Sequence, residues 1–253
     1  AAAAAAPPPP AVDIIAVWGV NAATIATVVR MVKDKEDEVT QHYAVKTIEN
    51  ICSQGGEWAA KFATQEVLVL LFQILGSGKS EQLRTTTAST LARLLRAAPG
   101  LATPLVEKVG LRVVVQLLND SSAKVQLSAA NLLNFLLARP ALLPPRVLSA
   151  FLDEQLGRLP PQLLALLDHQ TLQLRAKAAT ALVLLFRLSP RLLLETSRLK
   201  LVPALERGQS RERDEYVVAA LKLLQDEILA CVPRLCQQVT DEIFGKGKVG
   251  GGG

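Results

Sequence analysis

The chain has 253 residues and carries Lys+Arg 28 against Asp+Glu 23, a formal net charge of +5. Half of it is hydrophobic but only 4% is aromatic, which excludes a wholly disordered chain and argues against a sandwich or barrel of strands, since strands favour aromatic and β-branched residues. Three cysteines and two histidines are too few for a disulfide framework or a rich metal cluster, and the basic excess falls short of a nucleic-acid binder.

Residues 1–11 are alanine and proline, a low-complexity linker rather than a signal peptide, because no basic segment leads it. Next comes an apolar helix expected over Ile14 to Val32. Its run without charge, Ile14 to Val29, is shorter than the ~20 residues that span a bilayer, so a buried helix is expected and no membrane. Ile14, Ile15, Val17, Trp18, Val20, Ile25, Val28, Val29 and Val32 cannot share one stripe, so this helix needs cover on several sides. Residues 12–244 read as one helical repeat domain, and residues 245–253 as a flexible glycine-rich tail. Three cysteines without a secretory signal fit a reducing, cytoplasmic setting.

Four stretches align without gaps: Val39 to Ile51, Leu83 to Leu95, Val125 to Leu137 and Leu174 to Phe186. Each opens on an aliphatic residue, has an alanine five positions later (Ala44, Ala88, Ala130, Ala179) and ends on a large apolar residue. The alanines lie 44, 42 and 49 residues apart, and a small side chain there lets two helices approach closely. Partner helices precede them at Val67–Leu75, Leu111–Asp120 and Gln162–Asp168, and Leu117–Asp120 followed by two serines is the clearest stop and restart. A fifth, degenerate unit runs through Leu199–Gly208 and Tyr216–Leu229. Pro233 interrupts its last helix and should kink it. Periods of ~40–47 residues with two or three helices per unit are those of HEAT and armadillo arrays. The expected fold is therefore an all-α armadillo/HEAT-like solenoid of about five repeats. Such rods present broad concave surfaces to other macromolecules and have no need of a catalytic pocket.

Motifs that could carry chemistry are weak. Gly76-Ser-Gly-Lys79-Ser80 resembles the end of a phosphate-binding loop, but Gln73 stands where the first glycine belongs. Cys231 and Cys236 lack zinc-ribbon spacing, Cys52 reads as core, and His42 and His169 supply no nucleophile with its base. No catalytic residue, cofactor or metal is assigned. Arg84 and Arg175 follow the opening aliphatic residue of their repeats, a place where HEAT arginines bond an aspartate about six residues earlier. Here that ladder looks broken: Asp34 and Asp120 face Thr40 and Gln126, Arg84 faces Gly78, and Asp168 is offset by one from Arg175. Both arginines are then partly free for a partner, beside a structural role within the rod. From Arg139 to Arg213 there are twelve basic and six acidic residues, a basic half-rod suited to an acidic surface such as tubulin. The expected contact residues are Arg84, Arg175, Lys177, Arg187, Arg191, Arg198 and Lys200. Trp18 and Trp58 do not recur, and Asn50 and Asn134 are out of register, against a groove of the importin kind.

Ala44-VKTIENIC52, Leu83-RTTTASTLARLLRAAPG100, Val106-EKVGL111 and Leu174-RAKAATALVLLF186 resemble the C-terminal repeats of the Unc-51-like kinase 4 family, called Runkel in plants, over roughly residues 39 to 235. The resemblance implies an upstream kinase-like domain, generally described as a pseudokinase, and an association with microtubules, cilia and, in plants, the cytokinetic apparatus. The kinase motifs V-A-I-K, H-R-D and D-F-G are absent, so nucleotide binding does not carry over. The expectation is a non-catalytic protein-interaction scaffold. Its implied partners are tubulin, ciliary or axonemal proteins, or its own kinase-like domain. The alternatives are the repeats of a Fused-like ciliary kinase, or a generic armadillo adaptor in transport or signalling.

Overall fold

The computed structural model describes residues 21–34, 37–54, 57–78, 80–155 and 157–244. They form α1 (Ala22–Val32), α2 (Glu38–Ser53), α3 (Glu57–Phe62), α4 (Gln65–Ser77), α5 (Glu81–Ala97), α6 (Ala102–Val109) and α7 (Arg112–Gln116). After these come α8 (Ala123–Leu137), α9 (Pro145–Gln155), α10 (Leu159–Leu167), α11 (Leu172–Leu188), α12 (Arg191–Arg198), α13 (Leu201–Arg211) and α14 (Glu215–Phe244). Among the described residues there is no strand. The linker 1–11 and the tail 245–253 lie outside them, as does the first part of the apolar helix expected over Ile14 to Val32. Its described part starts only at Ala22: Asn21 is extended and its Oδ1 accepts from the Thr24 N–H at 2.9 Å, which caps the helix there.

The long helices α2, α5, α8, α11 and α14 pack one on the next and make a continuous layer. The residues at their N-cap positions are Asp37, Ser80, Ser122, Thr171 and Asp214, and all but Thr171 accept a backbone N–H of the first turn with the side chain. Ser80 Oγ accepts from the Leu83 N–H at 3.0 Å, and Asp214 Oδ1 from the Val217 N–H at 3.1 Å. The caps are 43, 42, 49 and 43 residues apart. Counted from them, Val45 and not Ala44 stands level with Ala88, Ala130 and Ala179. Val39 accordingly turns outward at 65% exposure, whereas Leu83, Val125 and Leu174 are fully enclosed. The register expected for the first repeat was thus one residue out. Between successive long helices lie two shorter ones: α3 and α4, α6 and α7, α9 and α10, α12 and α13. Units two to five therefore have the three helices of an armadillo repeat, one more than the sequence displayed. Prolines open several of the short elements (Pro99, Pro140, Pro145, Pro160), where an N–H is not needed.

The two end helices of the layer bury complementary faces. In α2 the enclosed residues are Gln41, Ala44, Val45, Ile48, Glu49 and Cys52; in α14 they are Val217, Ala220, Leu221, Leu224, Glu227 and Cys231. The interior helices bury both faces, as a layer stacked on two sides must. One correction concerns Pro233. It lies inside α14 without ending it, because the carbonyl it deprives of a partner, that of Leu229, sits on a 67% exposed residue and can turn to water.

Candidate partner-binding surface

The outer side of the long-helix layer is an open face spanning all five units. Nine residues after each cap stand Lys46, Ser89, Asn131, Thr180 and Leu223, and all are at least partly exposed. Two residues after the caps stand Val39, Gln82, Lys124, Gln173 and Tyr216, all exposed. Lys177 lies with its ammonium 5.9 Å from the centre of the Tyr216 ring, within cation–π range.

Arg84 and Arg175 do not stand apart from the rod, contrary to the broken-ladder reading. Arg84 Nη1 donates to the Gly78 carbonyl at 3.1 Å, and its Nη2 reaches Asp120 Oδ2 at 2.9 Å. Arg175 Nη1 donates to the His169 carbonyl at 2.8 Å, and its Nη2 reaches Glu212 Oε2 at 2.5 Å. The two arginines sit at the same place, four residues after a cap. Each binds the carbonyl six residues back and a carboxylate two residues before the next unit's cap. The ladder exists, but it runs forward between units; alignment within one repeat cannot reveal it. The other junctions use different ties. Glu38 Oε1 accepts from the Ser80 N–H at 2.8 Å, and Asn134 Nδ2 donates to the Lys177 carbonyl at 2.9 Å.

The remaining expected contact residues divide between two places. Arg187, in the last turn of α11, keeps half its side chain exposed while its Nε donates to Glu227 Oε2 at 2.6 Å. Arg191 and Arg198 sit on the short helix α12, paired with Glu242 and Glu195. Lys200 follows them with φ 65, in the left-handed region where the chain turns into α13. So Arg84, Arg175, Lys177 and Arg187 belong to the long-helix layer, and Arg191, Arg198 and Lys200 do not.

Sequence reasoning missed several residues of this layer. Arg96 and Lys124 are exposed cations on it with no ion pair among the described residues. Glu49 is 8% exposed and accepts from Lys46 Nζ and Ser89 Oγ, each at 2.5 Å. Burial alone would raise its carboxyl, but these bonds and the charges of Lys46 and Arg93 outweigh it and hold the group below its ordinary range. Counting from the caps would have placed all of them.

The weaker motifs resolve into local structure. The Gly78 N–H donates to the Ile74 carbonyl at 2.7 Å and closes α4, and Ser80 caps α5; Lys79 lies outside the described residues. Gly245, Gly247 and Gly250 have G-x-G-x-x-G spacing, and they lie in the tail outside the described residues. His42 Nε2 contacts Thr86 Oγ1 at 3.2 Å, and His169 Nδ1 accepts from the Thr171 N–H at 3.0 Å. Burial pushes the Cys52 thiol up to about 11. Among the described residues no three His, Cys, Asp or Glu side chains gather to hold a metal, and no helix is long and apolar enough to cross a membrane.

No family model matches the chain. It is 32% identical over 234 residues to the serine/threonine-protein kinase RUNKEL of Arabidopsis thaliana and 26% identical over 234 residues to the serine/threonine-protein kinase ULK4 of Mus musculus. Each match covers 89% of this chain and 17% of the relative. In fold it is similar to a designed armadillo repeat protein in complex with the peptide (KR)4, at TM-score 0.66 and 20% identity over 81% of this chain and 82% of that one. An engineered protein aligns over 90% of both chains, at TM-score 0.67 and 17% identity. The chain is thus an armadillo-like repeat region of the RUNKEL and ULK4 type, spanning 17% of the length of either relative.

Proposed function

We propose that this region is a non-catalytic scaffold whose long-helix layer holds an acidic protein surface, of the kind a microtubule presents, in a cytoskeletal or ciliary assembly. One observation carries the reading. Arg96, Lys124 and Lys177 lie on three successive long helices, α5, α8 and α11, and none has an ion pair among the described residues. Cations spread over successive helices of one layer, with their counter-charges elsewhere, favour an extended anionic partner. Arg187, half exposed beside Glu227, lies on the same layer at the other end of α11. Arg84 and Arg175 serve the rod itself. Any phosphoryl transfer, or its loss in a pseudokinase, belongs to other parts of such proteins, since V-A-I-K, H-R-D and D-F-G are absent from this chain.

The test is co-sedimentation of the 253-residue chain with assembled microtubules over a series of salt concentrations. Binding that weakens steadily as salt shortens the screening length, about 10 Å at 0.1 M, is the expected result. Absence of binding at low salt, or binding indifferent to salt, would remove the basis for this partner.

A further inference from the structure

Between units three and four, on the short-helix side of the rod, lies a cavity of about 160 Å3. Unit three walls it with Arg112 and Gln116 of α7 and with Asn119 of the turn Leu117–Asn119. Unit four walls it with Gln155 at the end of α9, Arg158 at the N-cap position of α10 and Gln162 in the first turn of α10. None of the lining residues is acidic. These six polar side chains make no hydrogen bond or ion pair among the described residues. Polar groups that meet inside a fold are ordinarily bonded to one another. The cavity between units four and five follows that rule, since Arg211 pairs with Asp168 and Arg175 with Glu212. The cavity between units three and four departs from it.

Gln155 carries the argument furthest. It is 3% exposed, and a buried amide without partners is costly to keep. Its Oε1 and that of Gln162 are enclosed, so each amide has its Nε2, a donor of two hydrogens, left for the cavity. No side chain caps the start of α10, which adds the positive end of a helix. The cavity thus presents two guanidinium charges and several donors, with no carboxylate to answer them. An anion is the matching occupant.

Size and charge narrow its class. There is room for about five waters at ~30 Å3 each, well below the ~300 Å3 at which pockets for whole small molecules begin. The cavity therefore takes one compact group and not a nucleotide. A carboxylate carries a single charge. A phosphate monoester carries about −1.5 to −2 near neutral pH and has three acceptor oxygens, which answers two guanidinium groups and the amide donors between them. We infer that this cavity is a binding site for a phosphate monoester group, held by Arg112, Arg158 and the Gln155 amide. It is separate from the long-helix face and does not depend on the function proposed for that face.

The 253-residue chain is titrated with inorganic phosphate, O-phosphoserine and acetate up to about ten millimolar, at fixed ionic strength. The readout is the side-chain N–H2 NMR signals of Gln155 and Gln162, each identified by its loss in Gln155→Leu or Gln162→Leu. Both phosphate probes should shift both signals to saturation, and acetate should bind about tenfold more weakly or less. Tighter binding of O-phosphoserine assigns the group to a phosphorylated side chain, and equal binding assigns it to free phosphate. Gln155→Leu leaves net charge unchanged. Its phosphate affinity, read on Gln162, should fall about tenfold, while its thermal midpoint stays at or above that of the wild type. R112Q with R158Q should abolish binding with unchanged far-UV circular dichroism. Signals that phosphate does not move, acetate binding as tight as phosphate, or a phosphate affinity indifferent to Gln155→Leu or to the arginine pair would each overturn the inference.

Discussion

Leucine in place of Ala130 tests the register of the long-helix layer most sharply. Ala130 lies eight residues after the cap Ser122 and is 1% exposed; Ala88 and Ala179, level with it in the helices on either side, are at 0%. α8 packs against α5 and α11 at once. Three added carbons would stabilise the fold by ~0.8 kcal/mol each if a space received them. Here Ala130 is 1% exposed in a helix packed on both sides, so the helices must separate or side chains leave their preferred rotamers. Overpacking of this kind costs about 1–3 kcal/mol. At about 2–4 °C per kcal/mol for a chain of this size, the thermal midpoint falls by roughly 2–12 °C. The assay is thermal unfolding followed by far-UV circular dichroism, beside Gln82→Leu, which adds the same side chain at an exposed place on α5 and should shift stability by less than ~0.5 kcal/mol. An A130L midpoint as close to the wild type as that of Q82L would refute the register.

The forward ladder should matter more than surface pairs. Arg84→Ala leaves Asp120, whose side chain is 11% exposed, without its guanidinium and should cost about 1–3 kcal/mol, whereas Arg198→Ala removes a pair that is 66% and 32% exposed and should cost less than ~1 kcal/mol; equal thermal shifts would contradict this. Burial alone would raise the Glu212 carboxyl, but N–H donors of Asp214 and Arg213 and the Arg175 guanidinium hold it below its ordinary 4.5, and Glu49 is lowered likewise. Their stabilisation is complete above that value and is lost as pH falls through the lower folded-state values. The midpoint should therefore fall more steeply on acidification in the wild type than in Glu212→Gln; identical acid profiles would count against it. Cys52 and Cys231, both buried, should react with maleimide only on unfolding.

Much of the fold was legible because its determinants are local. The alanines at Ala88, Ala130 and Ala179, the polar stop at Leu117–Asp120 and the apolar partner runs each act within one helix or one turn. The first repeat was misread by one residue because Val39 and Ala44 imitate the pattern, whereas the cap Asp37 sets the register. The short helices α3, α6, α9 and α12 were not seen, since six to eleven residues hold too few turns for a periodicity to show. The partners of Arg84 and Arg175 were missed for a different reason. Asp120 and Glu212 lie 36 and 37 residues downstream, and only the stacking of whole units brings them near. The candidate face was half legible: an excess of basic residues is written in the sequence, but which of them are already neutralised is settled by packing between units.

The central claim is that the long-helix layer, rather than net charge, holds an acidic partner. The most direct measurement compares two triple variants of equal charge change for affinity to assembled microtubules at low salt. In one, Arg96, Lys124 and Lys177 of the layer become glutamate. In the other, Arg112, Arg146 and Arg158, exposed on the short-helix side with no ion pair among the described residues, become glutamate. The account predicts that the first set abolishes binding and the second leaves most of it. Equal loss from both sets would contradict it.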